Sequence, residues 1–143
     1  MAEPPRNRVA IVDDDPSYGR AVARLLRASG METRTFESAE DYLASGGEGA
    51  FDALLLDVEL PGLSGFDLRR RLVSAGSGTA VVFISGHVEE SIALEAAGTG
   101  CPFVRKSDPG EVVLAALRRA VAGSAGSGTA AVAGPGTGTE RAR

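Results

Sequence analysis

Val9-Ala10-Ile11-Val12-Asp13-Asp14-Asp15-Pro16-Ser17-Tyr18 is the stretch that decides the fold. Four apolar residues with no polar alternation read as a short strand buried on both faces. Asp13 and Asp14 end that strand. Asp15 is a cap-type residue placed just before Pro16, which suits the first position of a helix. Tyr18, Val22, Leu25 and Leu26 then recur at helical spacing as far as Gly30, a good residue to follow a helix end. The unit is therefore strand, acidic turn, helix.

Reading outward, the unit recurs. Thr33 to Phe36 forms a second strand and Ser38 to Leu43 a short capped helix. Phe51 to Leu56 is a third strand, after which Phe66, Leu68, Arg69, Leu72 and Val73 describe a helix ending by Gly76. Ala80 to Ile84 is a fourth strand, with a helix from about Val88 to Ala97. Pro102 to Val104 is a short fifth strand, and Asp108-Pro109-Gly110-Glu111 has capping-box spacing before Val113, Leu117 and Val121. Continuous apolar strands alternating with helices imply a parallel sheet covered on both faces. The expected fold is α/β: a doubly wound, three-layer αβα, flavodoxin-like (βα)5 arrangement with strand order 2-1-3-4-5. Such folds bind ligands at the carboxyl ends of the strands, around the switch point between strands 1 and 3.

Composition bounds the function. The chain has 143 residues, 43% of them hydrophobic, enough for one domain with a real core. A net charge of −4 and a pI near 5.0 argue against direct nucleic-acid binding, which needs a surplus of Lys and Arg. The longest apolar run, Val112 to Leu117, is far too short to span a bilayer, so no membrane association is expected. Met1 to Arg8 lacks the apolar stretch of a secretory signal, and the lone Cys101 excludes an internal disulfide framework. A cytoplasmic location is the expectation. Residues 1–7, with Pro4-Pro5, read as a flexible arm and residues 8–122 as the working domain. Residues 123–143, rich in Gly, Ala and Thr, read as a disordered tail unable to bury enough apolar surface to order itself.

The polar residues fall where such a fold binds ligands. Asp13 and Asp14 end strand 1, Asp57 ends strand 3, Ser85 ends strand 4 and Lys106 ends strand 5. Taken singly, each is an ordinary turn, cap or surface residue; jointly they converge on one sheet edge. Three carboxylates brought close together must hold protons or recruit a cation. An oxygen-only ligand set suits Mg2+ better than Zn2+. Such a cation would clamp a phosphoryl oxygen, with Lys106 a second positive centre and Ser85 a hydroxyl donor, so that Asp57 can act as a nucleophile toward phosphorus.

The segment Asp57-Val-Glu-Leu-Pro61-Gly-Leu-Ser-Gly65 resembles the phosphoacceptor segment of receiver domains of two-component response regulators. Val12-Asp13-Asp14-Asp15 is similar to their acidic pocket, Ile84-Ser85-Gly86-His87 to their switch hydroxyl segment, and Phe103-Val-Arg-Lys106 to their aromatic residue and lysine. The resemblance implies that Asp57 accepts a phosphoryl group from a sensor histidine kinase or a histidine phosphotransfer protein. It implies that Asp14 and Asp57 ligate Mg2+ through side chains, Glu59 through its backbone carbonyl and Asp13 through water, while Ser85 and Lys106 bind phosphoryl oxygens. It also implies a switch in which Ser85 moves toward the phosphoryl group and Phe103 turns inward. The face formed by the fourth helix, fifth strand and fifth helix is then remodelled, and by analogy it is a possible homodimer surface.

Two positions depart from the pattern. Ser107 stands where many receivers have Pro, and Glu59 puts an acidic side chain beside the acceptor, where it could repel an anionic donor or orient water. The competing readings are a receiver-like interaction module that is not phosphorylated, and a Mg2+-dependent phosphohydrolase. The former usually loses the acceptor, lysine or acidic pair, all present here. The latter needs a second Asp two residues after the nucleophile, where this chain has Glu59. The chain is thus expected to be no enzyme beyond catalysing its own phosphorylation and dephosphorylation. Arg69, Arg70 and Arg71 read as a solvated helix face, His87 as a surface loop residue, Gly98 and Gly100 as helix terminators, and Cys101 as a small hydrophobe.

Overall fold

The computed structural model describes residues 7–46, 50–86 and 89–130. Five units follow one another: β1 (Arg8–Val12), α1 (Pro16–Ala28), β2 (Glu32–Phe36), α2 (Ala39–Ala44), β3 (Ala53–Asp57), α3 (Gly65–Ser74), β4 (Ala80–Ser85), α4 (Glu90–Thr99), β5 (Phe103–Arg105) and α5 (Gly110–Ala130). All pairings are parallel and the sheet runs β2-β1-β3-β4-β5, as expected.

Each strand sends alternate residues to opposite faces, and both faces are apolar. Ala10, Val12, Leu54, Leu56, Val81 and Phe83 pack with Ala39 and Tyr42 of α2, Phe66, Leu68 and Leu72 of α3, and Ala96 of α4. On the other face, Val9, Ile11, Ala53, Leu55, Val82, Ile84 and Val104 meet Val22, Ala23 and Leu26 of α1 and Val113 and Leu117 of α5. The outcome is two separate cores divided by the sheet, which is why the strands read as uninterrupted apolar runs.

The helix starts are chemical. Asp15 accepts from the amides of Ser17 and Tyr18, and Ser38 from that of Asp41. Ser64 and Asp67 form a reciprocal capping box at α3. Several expected boundaries shift, most by one or two residues, and three shifts have a clear physical reason. Asp57 belongs to β3, held there by its register with Ile84. The Asp108 carboxylate does not cap α5 but accepts from the Arg105 amide, closing the turn after β5, so the helix starts at Gly110. The expected domain end at residue 122 falls inside α5, which continues to Ala130; an established helix adds a hydrogen bond for each residue it fixes, and this carries it through Gly123, Gly126 and Gly128 despite their poor helix propensity. The rest of the expected arm and tail, residues 1–6 and 131–143, lie outside the described residues, as do His87 and Val88. Among the described residues no peptide bond is cis, so Lys106-Ser107 is trans. No helix among them is long and apolar enough to cross a membrane.

Candidate functional site at the strand ends

The sheet delivers its polar residues to one edge through backbone pairing. The amide of Asp13 continues the β1–β2 ladder by donating to the Phe36 carbonyl at 3.0 Å, and that of Lys106 continues β4–β5 by donating to the Ser85 carbonyl at 2.9 Å. Asp57 closes β3 and Ser85 closes β4, both buried. Carboxylate oxygens of Asp13, Asp14 and Asp57 consequently lie within 4.8 Å of one another. The Lys106 ammonium bridges two of these groups, with Nζ 2.8 Å from Asp13 Oδ2 and 3.0 Å from Asp57 Oδ2. Residues 13, 57 and 106, remote in sequence, thus form one ionic cluster beside an open pocket of about 270 Å³ lined by Asp14, Asp57, Glu59, Gly86 and Lys106.

The loop after β3 frames the acceptor position. The Glu59 amide donates to Asp57 Oδ1 at 2.9 Å, and the Gly65 amide donates to the Val58 carbonyl at 3.2 Å. A Cβ on Gly65 would collide with the Asp57 carbonyl oxygen, so the first residue of α3 can approach β3 this closely only as glycine. Glu59 Oε1 accepts from Ser85 Oγ across a long 3.5 Å.

Electrostatics follow from depth. Burial pushes the Asp57 carboxyl up to about 6, opposed by the Glu59 amide and Lys106 and reinforced by the charge of Asp13. Burial pulls the Lys106 ammonium down, but its hydrogen bonds to Asp13 and Asp57, with their charges, outweigh this and leave it raised. Three carboxylates facing one ammonium retain an excess of negative charge that a divalent cation would neutralise. The donor set is all oxygen, with Asp14 exposed to solvent, and this suits a hard, partly hydrated ion such as Mg2+.

Asp13, Asp14, Asp57 and Lys106 therefore come together, with Glu59 and Ser85 alongside. Phe103 does not reach the pocket. It is half-buried on β5 and lines a groove between β5 and α5 with Val104, Val112 and Ala116. Two neighbours were not singled out from the sequence. Tyr18, read only as an apolar helix position, places its ring 5.1 Å from Lys106 Nζ; burial raises its phenol pKa. Glu40, within the capped second helix, accepts from the Leu63 amide at 2.9 Å across the loop that follows the acceptor. The sequence signal for Tyr18 is its place one turn after the acidic cluster; nothing local distinguishes Glu40.

Residues 9–118 match the family model described as the response regulator receiver domain. Among curated proteins, the chain is 36% identical over 114 residues to the response regulator protein TmoT of Ectopseudomonas mendocina, covering 79% of this chain and 52% of that protein. It is 31% identical over 121 residues to the transcriptional regulatory protein FixJ of Azorhizobium caulinodans, covering 84% and 57% respectively. The chain thus spans about half the length of these relatives. Among solved structures, the BeF3-activated DrrB receiver domain superposes with a TM-score of 0.73 at 28% identity, covering 82% of this chain and 99% of that one. The response regulator StyR superposes with a TM-score of 0.78, also at 28% identity, covering 87% and 64%.

Proposed function

Because the chain belongs to the response regulator receiver domain family, we propose that it is a phosphorylation-controlled switch of a His-Asp phosphorelay whose acceptor is Asp57. The observation that carries this reading is the Lys106 ammonium bridging Asp13 and Asp57 at 2.8 and 3.0 Å inside the three-carboxylate cluster. Nothing in the chain has lost the acceptor, the lysine or the acidic pair, so a module without phosphorylation has no feature in its favour.

In this reading an Asp57 carboxylate oxygen attacks the phosphorus of a phosphohistidine on a kinase or phosphotransfer protein. The P–N bond breaks, a mixed carboxylic-phosphoric anhydride forms, and a solvent proton completes the departing imidazole. The Glu59 amide holds Oδ1 and thereby orients the attacking carboxylate. Asp14 and Asp57 would ligate Mg2+ through their side chains, Glu59 through its backbone carbonyl and Asp13 through water. Bound there, the ion would supply charge neutralisation for the transferring phosphoryl group. Lys106 then exchanges carboxylate partners for phosphoryl oxygen, and Ser85 donates its hydroxyl to another.

The output follows from the same movement. Ser85 leaves the neighbourhood of Glu59, Phe103 turns inward, and the face of α4, β5 and α5 is remodelled. That face already exposes Leu94 by 66% and Val112 by 42%, which fits a surface for a partner or for a second copy of the chain. The reading carries with it a cytoplasmic site of action and signalling without direct nucleic-acid contact by these residues.

Phosphorylation is the direct test. Acetyl phosphate or a cognate kinase with Mg2+ should add one phosphoryl group, detected by intact mass and lost with hydroxylamine. Asp57→Asn should abolish it; labelling that survives the substitution would reject the assigned acceptor.

A further inference from the structure

The loop from β3 to α3 carries Glu59, whose backbone serves the acceptor, yet its centre is tied down from another part of the fold. Pro61 has no amide to donate. The end of the loop is fixed by α3 and β3, with the Ser64 amide donating to Asp67 Oδ2 at 3.2 Å and the Gly65 amide to the Val58 carbonyl. Between these, the Leu63 amide donates at 2.9 Å to Glu40 Oε2, from a residue 23 positions earlier in the first turn of α2. That hydrogen bond holds the Glu40 carboxyl below the usual range, aided by the Arg71 charge on α3. Gly62 supplies the second, independent observation. Its φ of +77° is a backbone conformation that suits glycine, and a Cβ there would stand 2.5 Å from Glu40 Oε2, so any side chain at this position would push the carboxylate off the loop.

We propose that Glu40 is a positioning residue for the Asp57-to-Ser64 loop, holding the Leu63 amide so that the Glu59 backbone keeps its place beside Asp57 and the Mg2+ position. The inference rests on the reading of the acidic pocket as a Mg2+ site. Glu40 touches neither metal nor phosphoryl group and acts only through the loop. As with other outer-shell partners, its loss weakens metal binding without removing a ligand.

The test is a Mg2+ titration of the full chain followed by amide NMR, with hydrogen exchange of Leu63 as the local readout. Glu40→Ala should speed Leu63 exchange and weaken Mg2+ binding about 3- to 10-fold, the low end for an outer-shell partner because the carboxylate is solvent-exposed. Glu40→Gln, which retains an acceptor oxygen, should recover part of the affinity, and Gly62→Ala should reproduce the loss. Asp41→Asn removes a neighbouring charge without touching the loop and should leave the affinity unchanged. Wild-type affinity in Glu40→Ala despite faster Leu63 exchange would overturn the proposal, as would an equal loss in Asp41→Asn. Absence of any Mg2+-induced shift at Asp57 and Glu59 in the unsubstituted protein would instead remove the metal site itself, and the latch with it.

Discussion

At Asp57, burial sets chemistry against stability. Its carboxyl ionises near 3.8 in the unfolded chain but at about 6 in the folded one, so between these values the unfolded state has released a proton that the folded state still holds. Stability from this group therefore falls as pH rises through that window, and the cost is complete above it. Asp57→Asn should raise the unfolding free energy of the metal-free protein, read by urea titration at pH 8, by up to roughly 3 kcal/mol, with the gain fading toward pH 4. A gain of equal size at both pH values would assign it to something other than buried charge. Lys106 has the opposite role, since removing it strands two buried carboxylates without their ammonium. Lys106→Ala should cost roughly 3 kcal/mol in EDTA and less with Mg2+, which takes over part of the neutralisation. It should still permit some phosphorylation at Asp57 while uncoupling it from the α4-β5-α5 face; thermal melts with and without Mg2+, paired with exchange measurements on that face, check both halves. The acidic residues and the lysine were legible in the sequence because each ends a strand; their ionic pairing was not.

Among the elements, α3 shows local preference losing to tertiary contact. Helix propensity alone favours Ala over Gly by about 1 kcal/mol. Gly65→Ala should nevertheless destabilise the protein, because the new Cβ enters the space of the Asp57 carbonyl. Urea unfolding gives the sign directly, and a stabilised Gly65→Ala protein would show that the loop yields freely. The capping residues Asp15, Ser38 and Ser64 are local chemistry, and those of α1 and α2 were readable from sequence for that reason. Asp108 misled because a carboxylate three residues ahead of Glu111 can serve either a helix start or the preceding turn, and only the path of β5 decides which. The run past residue 122 was missed because Gly123, Gly126 and Gly128 suggest coil, while the helix already formed by Gly110 to Ala122 extends through them.

For the whole molecule, the expected switch couples one sheet edge to one flank. Beryllofluoride with Mg2+ should alter amide exchange across α4, β5 and the start of α5, together with Ser85 and Lys106, and should fail to do so in Asp57→Asn. Solution sizing under the same conditions reads whether the exposed Leu94 and Val112 find a second copy. Apolar runs, helical spacing, caps and the order of five units were determined by the sequence itself, since a strand buried on both faces and a helix buried on one impose those patterns locally. So was the convergence of Asp13, Asp14, Asp57, Ser85 and Lys106, because a parallel sheet carries every strand's carboxyl end to the same edge. Tertiary structure alone decided which carboxylates Lys106 bridges, how far Phe103 lies from the pocket, and that Glu40 reaches Leu63. Such contacts depend on the spacing of packed layers and the course of loops, which no single segment encodes.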